Sequence, residues 1–311
     1  MLMEILITGS GGQDGTYLRR LFEEAGARVT GVDRSFALAG RGFDLTDPRD
    51  VEDLVAGTAF DEVYYLAAHQ ASSEATADEG QLAQSFAVNH DGAVNFLEAI
   101  RRRSRATRFF YAASAHVYGK SDGRPLSEGS PMRPICLYGK TKLLTLETLD
   151  TYRRRHGVFA AGGILFNHES ALRKPGFLSR KVIEAALEIR AGRREPLVVG
   201  DLEQLVDLGY APDYVTAFPA ILRLPRPDDF VVSSGELHSV RELVDVVFAA
   251  LGLDYRSHVE VRPAVLAGGR RGVLFGDNRK LIQQTSWRPR HGFRTWVELL
   301  IRELATAQEK P

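Results

Sequence analysis

The chain predicts an α/β fold, a doubly wound parallel sheet joined to a smaller mixed α/β part. Three observations carry that prediction. Short apolar runs alternate with amphipathic helical stretches over the first 166 residues, a glycine-rich turn follows the first run, and the alternation loosens after Phe166. The 311 residues suffice for one large or two modest domains with a sizeable core.

Glu4–Thr8 (EILIT) reads as the first strand, because it is apolar and ends in glycines. Thr16–Ala25 reads as a helix with Tyr17, Leu18, Leu21 and Phe22 on one side. Val29–Asp33 is a second strand. Asp47–Ala56 is a helix behind Thr46-Asp47-Pro48, where proline suits a helix start. Glu62–Leu66 is a third strand, Gln81–Arg102 one long helix, and Arg108–Ala113 a fourth strand. Leu137–Arg155 is a helix and Val158–Phe166 a fifth strand. Beyond Phe166 the pattern predicts helices at Leu178–Arg190, Asp213–Leu222, Val240–Leu251 and Arg294–Leu304. A strand at Phe230–Ser233 is expected to return to the sheet. The expected division is therefore residues 1–166, with the returning strand at about 228–235, as a dinucleotide-binding domain. Segments 167–227 and 236–311 are expected to form the substrate domain.

Composition narrows the function. Forty basic residues balance forty acidic ones, so no basic surplus points to a nucleic-acid partner. No apolar run approaches the roughly 18 to 20 residues of a membrane span. The start of the chain shows no signal-peptide pattern, so a cytoplasmic protein is expected. The single cysteine, Cys136, excludes an internal disulfide, and the eight histidines form no His-x-x-x-His pair, so no metal site is expected.

Gly9, Gly12 and Gly15 form G-x-x-G-x-x-G between the first strand and first helix, with Gln13 and Asp14 inside the turn. In that position glycines permit a tight turn, a close approach to a pyrophosphate and close packing of helix on sheet. This predicts a Rossmann-type site for a dinucleotide. Asp33 ends the second strand, where an acid accepts hydrogen bonds from an adenosine ribose and favours NAD. Arg34, next to it, is placed to meet a 2′-phosphate, which favours NADP. The two cues conflict, with a slight lean to NAD. Ser114 ends the fourth strand, and Tyr138 and Lys142 stand one turn apart on the following helix. A neighbouring ammonium favours a phenolate, so Tyr138 is read as a base, with Ser114 holding the substrate oxygen.

These residues resemble the extended short-chain dehydrogenase/reductase family, whose members modify nucleotide sugars. Asp44-Leu45-Thr46-Asp47, Leu66-Ala67-Ala68 and Asn89-x-x-Gly92 extend the match over nearly the whole chain. Within the family the chain is most similar to the GDP-mannose 4,6-dehydratases, through GSGGQDGTYL (9–18), DEVYYLAA (61–68), ILFNHES (164–170), FLSRK (177–181), DYV (213–215) and SVREL (239–243). The resemblance implies that Asp44 and Leu45 hold the adenine and that Leu66, Ala67 and Ala68 line the cofactor. It sets Lys142 against the nicotinamide ribose and counts Tyr138 with it among the cofactor-binding residues. It also implies that Asn167, Arg180 and Lys181 contact the sugar nucleotide, and it implies a homodimer through helices 81–102 and 137–155.

Three departures stand out. Where the dehydratases carry a carboxylate two residues after the Ser/Thr, as the base that removes the C5 proton, this chain has His116. The loop from Asp33 to Asp44 is short. Val206-Asp207-Leu208-Gly209 replaces an Arg-Asp-Trp-Gly run, and Gly268–Gly272 carries Arg270 and Arg271, the candidates to reach a diphosphate. The expected activity is a nucleotide-sugar, GDP-hexose, 4,6-dehydratase acting through a 4-keto intermediate, with His116 in the usual carboxylate position, either as the base or as a spectator lining the site. A 4-epimerase or a 4-ketoreductase uses the same first step. A non-catalytic dinucleotide-binding sensor is the alternative of another class.

Overall fold

The computed structural model describes residues 2–69, 79–193, 196–263 and 272–308. The first half contains β1 (Glu4–Thr8), α1 (Gln13–Glu24), β2 (Arg28–Val32), a small hairpin of β3 (Ala37–Leu38) and β4 (Arg41–Gly42), and α2 (Pro48–Gly57). Next come β5 (Glu62–Tyr65), α3 (Glu79–Phe86), α4 (Gly92–Arg103), β6 (Arg108–Ser114), α5 (Leu137–His156) and β7 (Ala160–Leu165). The second half runs β8 (Asn167–Glu169), α6 (Leu178–Arg190), β9 (Leu197–Val199), β10 (Leu205–Val206), β11 (Leu208–Tyr210), α7 (Ala211–Val215) and α8 (Ala217–Leu222). It continues with β12 (Asp229–Val232), β13 (His238–Ser239), α9 (Val240–Ala250), β14 (Val259–Val261), α10 (Arg279–Thr285) and α11 (Phe293–Gln308).

Six strands form the main sheet in the order β12-β7-β6-β5-β1-β2. Every neighbouring pair is parallel. Parallel strands need crossovers, and the crossover helices cover both faces, which is the doubly wound Rossmann-type arrangement the sequence predicts. The chain order reverses at β1, between β2 and β5, which opens a crevice at the carboxyl ends of those strands.

Three apolar clusters hold the molecule. One joins α2, α4 and α5 to the sheet through Val51, Phe96, Leu97 and Leu149. A second covers the other face with Leu18, Phe22, Tyr214 and Phe218. The Phe218 ring stacks on Phe110 of β6 with centroids 4.5 Å apart. Burying one such side chain is worth about 1.5–3 kcal/mol. Here the structure corrects the sequence expectation, because residues 211–222 pack on the six-stranded sheet although they lie inside the segment assigned to the substrate domain. Their apolar residues match the face that α1 leaves open. The third cluster gathers α6, α9 and α11 through Val182, Leu243, Trp296 and Leu300. Short two-stranded pairs, β8 with β11, β9 with β14 and β10 with β13, complete the smaller mixed α/β part. Among the described residues no helix is long and apolar enough to cross a membrane.

The expected single helix 81–102 is interrupted by a π-helical turn at Ala87–Asp91. Its cause is Asn89, fully buried, whose side-chain oxygen accepts from His69 N at 2.8 Å while its amide donates to His69 O and Thr141 Oγ1. The Asn89 carbonyl accepts from Tyr111 and Thr145 hydroxyls. Side-chain partners thus replace the regular ladder, as in other π-turns. Gly92 belongs to the same device, since a Cβ there would overlap the Tyr65 hydroxyl and the Leu45 side chain.

Candidate active site

The glycine turn leaves β1 and enters α1. Gly9 has φ +70°, and a Cβ on it would lie 2.8 Å from Ala67 N. A Cβ on Gly15 would overlap the Gly9 carbonyl. Gly12 is the N-cap of α1 with no side-chain cap, so the first-turn amides remain as donors for an anion. A cleft of about 620 Å³ runs from the turn past Asp33, Arg34, Asp44, Leu45, Ala67 and Ala68. Asp33 Oδ1 accepts from Ser35 N and Oγ, which holds the carboxyl below its usual range. Its Oδ2 stands over the turn, 3.3 Å from where a Gly11 Cβ would lie. These residues fit a dinucleotide: open helix amides for the pyrophosphate and a carboxylate at the far end for the ribose.

The trench continues past Gln13, Asp14, Gly15 and Leu66 to Ser114, His116, Tyr138 and Lys142. Ser114 ends β6, and its hydroxyl accepts from His116 N at 3.3 Å, capping the short turn 115–117. Tyr138 and Lys142 project from the first turns of α5. The Lys142 side chain is 1% exposed, and its Nζ donates to Ala112 O at 2.8 Å. That Nζ lies 4.6 Å from the Tyr111 ring centroid and 5.5 Å from that of Tyr138. Burial pushes Lys142 down to about 7. Burial, then the Asp14 charge, push Tyr138 up to about 12, against smaller lowering from Arg173 and Ser114. The sequence reading expected the ammonium to draw the phenol down. Desolvation reverses that sign here because both groups are enclosed.

His116 faces both this section and an adjoining cleft of about 690 Å³ lined by Asn167, Lys174, Phe177, Gln204, Val206 and Asp207. Its ring meets Tyr138 edge to face at 5.8 Å, and Nδ1 lies 3.8 Å from Cys136 Sγ. The same sulfur accepts from Gly139 N and caps α5, so Cys136 has a structural task.

Asn167 is exposed at the junction of the two clefts. Arg180 and Lys181 are not brought there, a second correction. The Arg180 guanidinium pairs with Glu184 and donates to the carbonyls of Ala171 and Arg173. Lys181 Nζ donates to Val198 O at 3.0 Å, fastening α6 to β9. Arg270 and Arg271 lie outside the described residues. Glu169 is bound to Ser179 and serves the entry of α6. The structure adds His168 and Arg173, both lining the same trench as Ser114, Tyr138 and Lys142. Arg173 stacks on Phe177 at 3.8 Å. Asp207, 1% exposed, is pushed up to about 6 by burial although Ser234 and Gly276 donate to it. Single buried polar residues of this kind carry no periodic signal. Only the neighbourhood of Asn167 in ILFNHES could have directed attention to His168.

The fold, the glycine turn and the clustered serine, tyrosine and lysine define an NAD(P)-dependent enzyme of the extended short-chain dehydrogenase/reductase class, of nucleotide-sugar dehydratase/epimerase type. A family model described as GDP-mannose 4,6 dehydratase matches residues 6–300, and the chain belongs to that family. GDP-mannose 4,6 dehydratase 1 of Arabidopsis thaliana is 33% identical over 329 residues, covering 96% of this chain and 88% of that protein. Two solved structures share the fold. RMD from Pseudomonas aeruginosa, complexed with NADPH, has a TM-score of 0.85 at 20% identity, covering 98% of this chain and 99% of that one. Thermus thermophilus UDP-glucose 4-epimerase, complexed with NAD, has a TM-score of 0.81 at 24% identity, covering 98% and 100%.

Proposed function

We propose that the chain is a nucleotide-sugar 4,6-dehydratase acting on a GDP-hexose through a 4-keto intermediate. The observation that carries this reading is the position of His116, beside Tyr138 and facing the sugar cleft. The glycine turn, Asp33 and Lys142 would hold NAD(P), which would supply the hydride acceptor for C4 and the hydride donor for C6. Ser114 holds the 4-oxygen, and Tyr138 takes the proton from the 4-hydroxyl. The ketone acidifies C5, and His116 takes the C5 proton and, as the imidazolium, gives a proton to the 6-oxygen, which leaves as water; C5 takes a proton from solvent when C6 is reduced. An imidazole is a competent base and, once protonated, a competent acid at neutral pH. Residues 1–166 with β12 supply the cofactor side, and Asn167 with Lys174 and Gln204 the sugar-nucleotide side. Incubation with a panel of nucleotide sugars, read by mass spectrometry, tests the reading. Loss of one water supports it, while an unchanged mass with new couplings assigns a 4-epimerase.

For the cofactor we favour NAD, on the carboxylate of Asp33 over the glycine turn. The parent is expected to bind NADH more tightly than NADPH, and Asp33→Ala to weaken NADH by about tenfold, the scale of a hydrogen bond to a charged group. Tighter binding of NADPH by the parent would reassign the site to NADP through Arg34.

The enzyme is further read as a cytoplasmic homodimer. Leu82 and Phe86, one turn apart on α3, are 44% and 36% exposed beside α5. The pair lies on one of the helices through which the family resemblance implies a homodimer, where a second copy would cover it. Light scattering should show a dimer, and Leu82→Glu with Phe86→Glu should yield a monomer. A parent that is monomeric at micromolar concentration would remove this reading.

A further inference from the structure

Two acceptors bracket the ring of His168. Nδ1 lies 2.7 Å from the Phe166 carbonyl oxygen. Nε2 lies 3.0 and 3.1 Å from the two carboxylate oxygens of Asp14. A carbonyl and a carboxylate only accept, and a neutral imidazole has a single N–H. With Nδ1–H donated to Phe166, a neutral ring would aim its Nε2 lone pair at Asp14. Only the imidazolium satisfies both contacts.

The surroundings agree. Burial opposes the charge on His168, but the Asp14 charge and hydrogen bond outweigh burial and the repulsion from Arg173, so the imidazole is raised above its ordinary value. Burial likewise opposes the Asp14 carboxylate, and His168, Gln13 and Arg173 together hold it below the usual range. The other titratable groups that face the pair are Tyr138, which feels Asp14, and Tyr214 of α7, whose ring stacks on His168 at 5.0 Å. Gln13 strengthens the connection: its amide donates to His168 O at 3.1 Å, and it accepts from Ser170 Oγ at 2.7 Å. Gln13 and Asp14, the first two residues of α1 after the glycine turn, are thereby tied to β8 and the residue after it, next to Asn167.

We propose that His168 is a positioning residue that works as a buried imidazolium, clamping Asp14 and with it the cofactor turn onto the substrate strand. The proposal rests on the cofactor reading of that turn. A raised imidazole makes the ion pair complete below its folded pKa and breaks it as pH rises through that value. Cofactor affinity then falls toward alkaline pH.

The test titrates the enzyme with NADH and NADPH by fluorescence from neutral to alkaline pH, using whichever binds more tightly. Lys142 titrates in the same range, so the reading is the difference between the parent and Asp14→Asn. The parent should lose about tenfold in affinity across the range beyond any loss in Asp14→Asn, a usual size for coupled sites. His168→Gln should match Asp14→Asn, with thermal unfolding as the check on folding. Nitrogen NMR of the parent, with the His168 signal assigned by its displacement in Asp14→Asn, should show both ring nitrogens protonated at neutral pH. A ring with one bare nitrogen, or identical pH profiles in parent and Asp14→Asn, would overturn the clamp. A parent that binds neither reduced cofactor overturns the cofactor reading instead, and the nitrogen spectrum still decides the charge on His168.

Discussion

Tyr138→Phe is expected to abolish hydride transfer while leaving cofactor binding nearly intact. The phenol oxygen is the only part removed, and the ring keeps its edge-to-face contact with His116. A proton acceptor at the reacting hydroxyl contributes about 10² to 10⁴-fold, so oxidation at C4 should fall by at least that order. The measurement is single-turnover absorbance of reduced cofactor after mixing with substrate. The parent carries a pH signature of the same group. Burial holds the phenol up to about 12, so the base form grows as pH rises, and oxidation should accelerate across the neutral and alkaline range. Lys142→Ala should damage both oxidation and cofactor binding, because Nζ sits under Tyr138 and anchors to Ala112. Ordinary turnover in Tyr138→Phe would mean that another group accepts the proton.

The sheet was legible because its signals are local. Each apolar run from Glu4–Thr8 onward is bounded by turn residues, and each helix carries its own stripe, so strand and helix periods needed no partner to be seen. The glycine turn was legible for the same reason: seven consecutive residues encode both its bend and its contact with α1. What escaped detection depends on distant partners. The π-turn at Ala87–Asp91 exists because Asn89 bonds to His69, Thr141 and Thr145, and no helical period reports that. The pairs β8–β11 and β9–β14 involve three-residue strands whose partners lie about 40 and 60 residues away, too short for alternation to register. Arg180 and Lys181 were read as facing substrate because their charge is visible in sequence, but the direction of a side chain is not. Carbonyls of Ala171, Arg173 and Val198 claim both. The sign of the Tyr138 shift failed likewise, since the burial of its phenol and the nearby Asp14 charge are properties of the folded chain alone.

His116→Ala separates the remaining chemistries. A dehydratase must remove the C5 proton of the 4-keto sugar, and the residue standing where its relatives in the resemblance place a carboxylate is His116. The imidazole borders the cleft lined by Asn167, Lys174 and Gln204 and meets the Tyr138 ring edge to face, so with a sugar in that cleft one side chain would act on C5 and the other on the 4-oxygen. Loss of a general base at this step should slow dehydration by about 10² to 10⁴-fold. Oxidation at C4 does not need His116, so reduced cofactor should accumulate on the enzyme when substrate is added. Exchange of the C5 proton with deuterated water, present in the parent, should vanish in the variant. His116→Glu restores the carboxylate and should recover exchange in part, which a loss of packing alone would not do. In a 4-epimerase or a 4-ketoreductase C5 never loses its proton, and His116→Ala would change little beyond binding. A parent enzyme that turns over its sugar nucleotide without deuterium appearing at C5 would therefore refute dehydration, whatever the variants do.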